Sequence, residues 1–135
     1  MLTKEKQGVF EHLISTSTAV DTGGWKEVVA EHRTSRSNKL RLAISYTGAD
    51  SDISAVLLRV KLFYESGGDD YPEGKVAGDQ QTWTARTHTL PVTAAGQTCP
   101  PIDIDLAGCR YYTVEMNFTG TSAAIADMFA IYYRS

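Results

Sequence analysis

Cysteine is scarce in this chain of 135 residues, which has only Cys99 and Cys109. Two cysteines are too few for a fold that depends on a framework of several disulfides. They either remain thiols or form one bridge across the proline-containing loop between them, and thiols are the expected state. Long apolar runs are also missing, since none approaches the roughly 18 residues that a membrane helix needs. We therefore expect no membrane partner. Because no secretion signal is evident, we also expect a protein made in the cytoplasm.

Motifs for catalysis and metal binding are absent too. Ser122 lacks the Gly-x-Ser-x-Gly turn that presents the nucleophile of many hydrolases. The three histidines stand singly on separate predicted strands: His12, His32 and His88. No His-x-x-x-His or Cys-x-x-Cys spacing is present to bind zinc, and no glycine loop is suited to hold phosphate. The sequence therefore predicts a protein without enzymatic activity or cofactor. A small enzyme with His32 or His88 in its site is the less favoured hypothesis.

Charge of one sign is not in large excess. The chain has 13 Lys and Arg against 16 Asp and Glu, a net charge of −3, so overall charge does not favour nucleic acid as a partner. The cations are unevenly spread, and six of them share one sheet face if the two strands described next pair: Arg33, Arg36, Lys39, Arg41, Arg59 and Lys61. Such a basic face is a solvated surface, a phosphate site or a docking site for an acidic partner, including a neighbouring copy of the chain.

What the chain does have is the period-two alternation of β-strands. Residues 54–65 place an apolar series on one face: Val56, Leu58, Val60, Leu62 and Tyr64. Residues 39–46 alternate in the same way and place these residues on one face: Leu40, Leu42, Ile44 and Tyr46. Turn-forming residues separate the two segments. We therefore predict that the two strands pair directly as an antiparallel hairpin.

Six further segments show strand patterns: residues 12–20, 25–33, 82–93, 102–106, 110–118 and 124–134. The last of these is expected to turn four residues inward: Ile125, Phe129, Ile131 and Tyr133. On residues 102–106, Asp103 and Asp105 are expected to face water. About eight short strands with no convincing helix predict an all-β, single-domain antiparallel β-sandwich or jelly roll over residues 1–135. An extended N-terminal arm, residues 1–11, and a long loop, residues 66–81, complete the predicted architecture.

Acidic residues in turns are the candidate metal ligands. Carboxylates cluster at four positions: Asp50, Asp52, Asp69 and Asp70. Calcium binds roughly six to eight oxygens supplied by flexible loops, so such clusters are possible starting points for a site. None of them has the residue spacing of a known calcium loop, and solvated turns are the favoured interpretation.

The closing segment, residues 111–134, is rich in aromatic and β-branched residues. Three other features accompany it: a polar arm that begins at Met1, a Ser/Thr-rich first strand and the strand count of a jelly roll. The chain resembles the small all-β structural proteins of tailed bacteriophage particles, such as capsid decoration or cement proteins and head or tail accessory subunits. The resemblance implies a non-enzymatic virion subunit, made in the host cytoplasm, that binds other virion proteins such as the major capsid protein. It also implies a homo-oligomer, either a trimer or a dimer.

The expected contact residues lie in the arm, the long loop and the basic segments: Lys4, Lys6, Phe10, Tyr71, Arg36, Arg59 and Lys61. The alternative function is a carbohydrate- or receptor-binding β-sandwich module. Flat aromatic rings stack on sugars, and the candidates for such a platform are Trp25, Trp83, Tyr71, Tyr111 and Tyr133. Aromatic residues of a sandwich belong to the core more often, because their rings bury a large apolar area.

Overall fold

The computed structural model describes residues 9–34, 37–47, 52–63, 70–72, 87–92, 97–98, 101–106 and 108–134, and for residues 70–72 and 97–98 it describes the backbone alone. These residues form eleven β-strands and no helix. The strands are β1 (Val9–Ile14), β2 (Thr18–Val20), β3 (Trp25–Arg33), β4 (Lys39–Tyr46), β5 (Ile53–Phe63), β6 (Asp70–Pro72), β7 (His88–Leu90), β8 (Gln97–Thr98), β9 (Ile102–Asp105), β10 (Tyr111–Gly120) and β11 (Ala123–Tyr133). Two antiparallel sheets pack against each other, which confirms the predicted all-β sandwich.

Three strand positions in the sandwich are each filled by two short segments. β1 and β2 lie end to end along β11, β8 and β9 lie along β4, and β6 and β7 lie along β5. The eleven described strands therefore occupy eight positions. Numbered along the chain, these positions follow the order 1-8-3-6 in the larger sheet and 2-7-4-5 in the smaller sheet. This is the strand order of a jelly roll, in which two sheets of four positions face each other.

The predicted hairpin between residues 39–46 and residues 54–65 is wrong. β4 pairs with β11 in the larger sheet, whereas β5 pairs with β10 in the smaller sheet. The two strands lie in opposite sheets and contribute their apolar faces to the same core. Turn-forming residues indicate that the chain reverses direction, and reversal also occurs when the chain crosses from one sheet to the other. The predicted alternation is therefore correct, and the predicted pairing is not.

The core is a single layer of side chains between the two sheets. Every second residue of β4, β5 and β10 is buried, as the alternation predicts. These buried positions are Leu40, Leu42, Ile44, Tyr46, Val56, Leu58, Val60, Leu62, Tyr112, Val114, Met116 and Phe118. The rings of Tyr46 and Phe118 meet edge to face across the layer, with their centroids 6.2 Å apart. Removing each large apolar side chain from water contributes about 1.5–3 kcal/mol, so this layer is the main source of stability.

An irregularity in β11 changes which of its side chains face inward. The register against β4 shifts between Ile125 and Asp127, where a β-bulge accommodates one extra residue. Because the side-chain period is two, one extra residue exchanges the faces of every later position. Beyond the bulge the buried residues are Met128, Ala130 and Tyr132. The residues that strict alternation wrongly places inside are Phe129, Ile131 and Tyr133. Only Ile125 of the predicted inward set is buried.

The N-terminal boundaries differ from the prediction. β1 begins at Val9, inside the predicted arm of residues 1–11, because this segment forms ladder pairs with β11. The remainder of that arm, residues 1–8, lies outside the described residues. The single strand predicted over residues 12–20 is divided into the end of β1 and the separate β2. The division lets both segments share β11 as their partner.

Short strands also occur where none was predicted. The backbone of β6 pairs with β5 inside the predicted loop of residues 66–81, and the rest of that loop lies outside the described residues. β8 pairs with β4 in a stretch, residues 94–101, where the turn-forming residues predict no strand. The strand predicted over residues 82–93 contains β7, and residues 82–86 and 93 lie outside the described residues. Pairings of two or three residues are too short to produce a readable period in the sequence. On β9, Asp103 and Asp105 are exposed as predicted.

Gly120 provides a test of the jelly-roll packing at the end of β10. Its φ of +153° lies outside the range that residues with a side chain normally adopt, and a Cβ there would overlap the carbonyl oxygen of Asp52 and approach Ile53 Cα to 2.9 Å. We predict that Gly120→Ala lowers the free energy of unfolding by about 2 kcal/mol or more, measured by urea denaturation. The matched control is Gly23→Ala, because Gly23 has a φ of +82° and no heavy atom within 4 Å of the added Cβ. Gly23→Ala should lower the free energy of unfolding by about 1 kcal/mol, because only backbone strain opposes it. Equal losses would contradict the close approach of Gly120 to Asp52 and Ile53.

Candidate functional site

The predicted contact residues are distributed over different parts of the molecule. Three of them lie outside the described residues: Lys4, Lys6 and Arg36. Tyr71 is on β6, where only the backbone is described. Phe10 lies on β1 and exposes 63% of its surface. Arg59 and Lys61 lie on β5, on the outer face of the smaller sheet.

The predicted basic face that joins β4 to β5 does not form, because the two strands are in opposite sheets. On the smaller sheet, Glu115 of β10 lies between the two cations of β5. The Nε atom of Arg59 is 2.6 Å from Glu115 Oε1, and Lys61 Nζ is 3.5 Å from Glu115 Oε2. The guanidinium carbon of Arg59 also lies 4.1 Å from the ring centroid of Trp25, as a cation–π contact. Arg59 and Lys61 are thus engaged within the sheet. The Trp25 ring is not open as a sugar platform on the side that Arg59 covers.

The candidate calcium ligands are not brought together in the described residues. Asp50 and Asp69 lie outside them, and Asp70 is on β6, where only the backbone is described. Asp52 is exposed in a turn, with a left-handed φ of 58°. Among the described residues, no group of three or more His, Cys, Asp or Glu side chains is arranged to hold a metal ion. The carboxylate of Asp52 therefore has the position of a solvated turn residue.

The larger sheet has a cluster of mostly aromatic side chains on its outer face, which we call the aromatic surface: Phe10, His12, Phe129, Ile131 and Tyr133. Phe10 lies directly opposite Ile131, and His12 lies opposite Phe129, in the ladder between β1 and β11. The ring centroids of Phe10 and Phe129 are 4.9 Å apart. The His12 ring stacks on Phe129 at 4.0 Å, with the planes 12° apart. The cluster is contiguous, and contiguous apolar patches on an outer face mark interaction sites more often than single exposed residues do.

Paired charges border the aromatic surface along β4 and β9. The Nε and Nη2 atoms of Arg41 bind the two oxygens of Asp103 at 2.7 and 3.2 Å, a bidentate geometry. The Tyr133 hydroxyl donates to the same carboxylate at 3.2 Å. Hydrogen bonding from Arg41 holds the pKa of Asp103 below its ordinary value. Lys39 Nζ lies 3.5 Å from Asp105 and extends the border. An apolar centre with a charged border is the usual composition of a protein–protein interface.

A polar network joins the two sheets at the edge of the sandwich. The Tyr132 hydroxyl donates to Glu11 Oε1 at 2.8 Å, and Tyr112 donates to the Tyr132 oxygen at 2.6 Å because a tyrosine has a single O–H hydrogen. His32 Nε2 of β3 lies 2.9 Å from the same Glu11 oxygen. Burial acts to raise the pKa of Glu11, but the hydrogen bonds from His32 and Tyr132 outweigh it, so that this pKa is below its ordinary value. Burial raises the pKa of Tyr112 and of Tyr132, so both remain protonated.

His12 and His32 each contact a carboxylate. His32 contacts Glu11 in the network at the edge of the sandwich, and His12 Nε2 lies 2.9 Å from Asp127 Oδ1 on the outer face. These contacts give both rings structural positions, since His12 completes the aromatic surface and His32 connects β3 with β1. His88 lies on β7.

Of the aromatic surface, the sequence predicted Phe10 as a contact residue and named Tyr133 as a candidate for a sugar platform. Phe129 and Ile131 were missed because the bulge in β11 has no signature in the residue pattern. One signal was nevertheless available in the sequence: the residues from Met128 to Tyr133 are all apolar or aromatic. Such a run places apolar side chains on both faces of a strand, whichever register it adopts. One of those faces had to be turned away from the core or covered by another element.

The hydrogen-bonded tyrosine pair yields a stability prediction. Tyr132→Phe leaves the buried Tyr112 hydroxyl and the Glu11 carboxylate without their shared partner, and we expect a loss of about 1–2 kcal/mol in the free energy of unfolding. Tyr133→Phe is the matched control, because the neighbouring hydroxyl bonds to Asp103 at an exposed position and should contribute under about 0.5 kcal/mol. Chemical denaturation of both variants measures the difference. Equal effects would contradict the role assigned to the buried pair.

The lowered pKa of Glu11 predicts acid sensitivity. A carboxylate with a depressed folded-state pKa adds stability that is complete above its ordinary pKa of 4.5 and is lost as the pH falls through the folded value. Glu11→Gln should therefore reduce stability at pH 7 by under about 1 kcal/mol, because the pair is partly exposed. The variant should also lose less stability than the parent protein between pH 6 and pH 3. Thermal unfolding across this range tests the prediction, with the exposed Glu27→Gln as control. Parallel curves for Glu11→Gln and the parent protein would contradict it.

Comparison with known proteins adds no family to these observations. No family model matches the chain, no curated protein matches it, and no solved structure matches it. In the part of the chain that the structure describes, no helix is long and apolar enough to span a membrane. The aromatic surface and its charged border are therefore the features on which a function can be based.

Proposed function

We propose that this chain is a non-enzymatic structural subunit of a bacteriophage virion, which stabilises the particle through protein–protein contacts. The single observation that supports a contact role is the aromatic surface, because Phe10 projects from it with 63% of its area exposed. The resemblance of the sequence to capsid decoration and accessory proteins supports the virion setting. The proposed partners are other virion proteins, the major capsid protein first, and further copies of this chain in a dimer or trimer.

The contact would be made by the outer face of the larger sheet. Aromatic side chains at the centre of an interface contribute most of its affinity when they are fully desolvated. Phe10 and Phe129 already form a pair of rings, so a partner surface that covers both gains apolar burial without first ordering a loop. The bidentate pair of Arg41 and Asp103 at the border then selects partners with complementary charges. Repetition over many copies supplies avidity without any chemical step.

Sedimentation tests the virion setting. A lysate of the native source is separated on a density gradient, and the chain is followed by mass spectrometry. We expect it to migrate with particles of viral size, in a fixed ratio to their major protein. Recovery in the light fractions alone would overturn the proposal and favour the carbohydrate- or receptor-binding alternative, which glycan-array binding then tests directly.

Substitution of Phe10 tests the contact surface. Phe10→Ser removes the most exposed ring from the aromatic surface, and we predict that incorporation into particles falls about tenfold or more, because one buried aromatic side chain contributes about 1.5–3 kcal/mol. Val9→Ser is the matched control, because Val9 is 53% exposed on the same strand but lies opposite Tyr132, away from the aromatic surface. The two variants are compared with the parent protein by quantitative mass spectrometry of purified particles. An equal loss in both variants, or no loss in Phe10→Ser, would contradict the assignment.

A further inference from the structure

The aromatic surface contains a side chain of the type that changes its charge near neutral pH. His12 lies on β1 directly opposite Phe129 of β11, and its ring stacks on the Phe129 ring with the centroids 4.0 Å apart. Imidazole is the side chain whose ordinary titration falls between about pH 5 and pH 8. The neighbouring ring of Phe10 stays neutral at every pH. The charge of this surface therefore depends on the protonation of His12.

A carboxylate lies beside this imidazole ring. His12 Nε2 is 2.9 Å from Asp127 Oδ1. The His12 side chain is 35% exposed and the Asp127 side chain is 44% exposed, so water reaches both groups in the free protein. The register of β11 against β4 shifts immediately before Asp127. The irregularity that turns Phe129 outward thus also brings a carboxylate within reach of the histidine.

The described charged groups on the strands around His12 have partners of their own. Glu11 of β1 faces the opposite side of the sheet, where it contacts His32 of β3 and the Tyr132 hydroxyl. On β4 and β9 the charged groups form the pairs of the border: Arg41 with Asp103 and Lys39 with Asp105. Asp127 is the group that contacts the His12 imidazole. The local charge is therefore decided by these two side chains together.

A protein that covers the aromatic surface removes water from this pair. With a neutral imidazole, the pair carries the single negative charge of the Asp127 carboxylate, and burial of an uncompensated charge is strongly unfavourable. With a protonated imidazole the two charges cancel, and the hydrogen bond between them becomes charge-assisted. A cation stacked on the face of the Phe129 ring is also attracted by that ring. Covering the surface therefore favours the form in which His12 carries a proton.

We propose that association through the aromatic surface is regulated by pH, with His12 taking up a proton when the neighbouring virion protein binds. This regulation rests on the proposed function, because it requires that a protein covers the surface. Since binding and proton uptake are linked, the affinity rises as the pH falls through the range in which imidazole titrates. One proton per copy limits the rise to about tenfold for each pH unit. Asp127 supplies the counter-charge.

Binding to virus particles of the native source, prepared without this chain, tests the proposal. The parent protein is added over a range of concentrations at pH 6, pH 7 and pH 8, and the bound fraction is measured after sedimentation. We expect the affinity to be about tenfold or more higher at pH 6 than at pH 8. Carboxylates and tyrosines ordinarily keep their charge states across this range, so they do not produce the expected change.

Two variants separate the roles of the pair. In His12→Gln the side chain can donate to Asp127 but cannot take up a proton, so binding should be weak and independent of pH. In Asp127→Asn the protonated imidazole becomes the uncompensated charge. The order should then reverse, with tighter binding at pH 8 than at pH 6. Val9→Ser is the matched control, because Val9 lies on the same strand opposite Tyr132 and its substitution should keep the parent profile. Urea denaturation at each pH verifies that all variants are folded.

A second measurement uses the parent protein alone. Calorimetric titration of the same particles at pH 7, in two buffers that differ in their enthalpy of ionisation, counts the protons exchanged on binding. We expect an uptake of up to about one proton per bound copy. Release of protons, or no exchange, would overturn the proposal.

Failure of this regulation can be distinguished from failure of the proposed function. Equal affinity of the parent protein at pH 6 and pH 8 would overturn the regulation and leave the contact role in place. A parent-like pH dependence in His12→Gln would do the same, because another group would then be responsible. Absence of binding at every pH would overturn the proposed function, and the regulation with it.

Discussion

Burial of one apolar layer between the two sheets is the interaction on which the rest of the structure depends. β4 and β11 supply the layer from the larger sheet, and β5 and β10 supply it from the smaller sheet. Because alternate side chains of each strand point into this layer, the remaining side chains lie on the outer faces. Cross-strand neighbours there either pair as charges, as Arg59 and Glu115 do, or remain as apolar groups, as Phe10 and Phe129 do. The outer surfaces are thus a consequence of how the core is filled.

A single extra residue in β11 determines the character of the larger sheet. Before the bulge Ile125 faces the core, and after it Ala130 and Tyr132 do. Without the shift, Phe129 and Ile131 would be inside, and the outer face would lose its apolar cluster. The bulge also places the Tyr132 hydroxyl where it reaches both Tyr112 and Glu11. One irregularity therefore produces the contact surface on one side of the strand and the polar connection between sheets on the other.

The sequence was sufficient to predict the fold class and the buried faces of β4, β5 and β10. Period-two alternation is a local property of each strand, so it can be read without knowing the strand's partner. The sequence was not sufficient for strand pairing, since residues 47–52 indicate a reversal without identifying the partner of β4. The bulge in β11 was hidden because it depends on register against β4, which is a property of two strands together. The predicted basic face grouped Arg33 with Lys39 and Arg41, which the topology places in the opposite sheet.

The position of Glu11 has a consequence for aggregation. Among the described strands β1 pairs with β11 alone, so it forms an edge of the larger sheet, and its Val9 and Phe10 are exposed. An exposed edge with apolar side chains can recruit a strand from another molecule and begin uncontrolled growth of the sheet. Glu11 points from this edge toward the interior, where His32 and Tyr132 hold it. A strand added alongside β1 would have to place its own core-facing residues against that carboxylate. An inward-pointing charge on an edge strand is one of the devices by which β-proteins prevent such growth. The protein can thus display apolar side chains on the face of the sheet while its edge resists fibril formation.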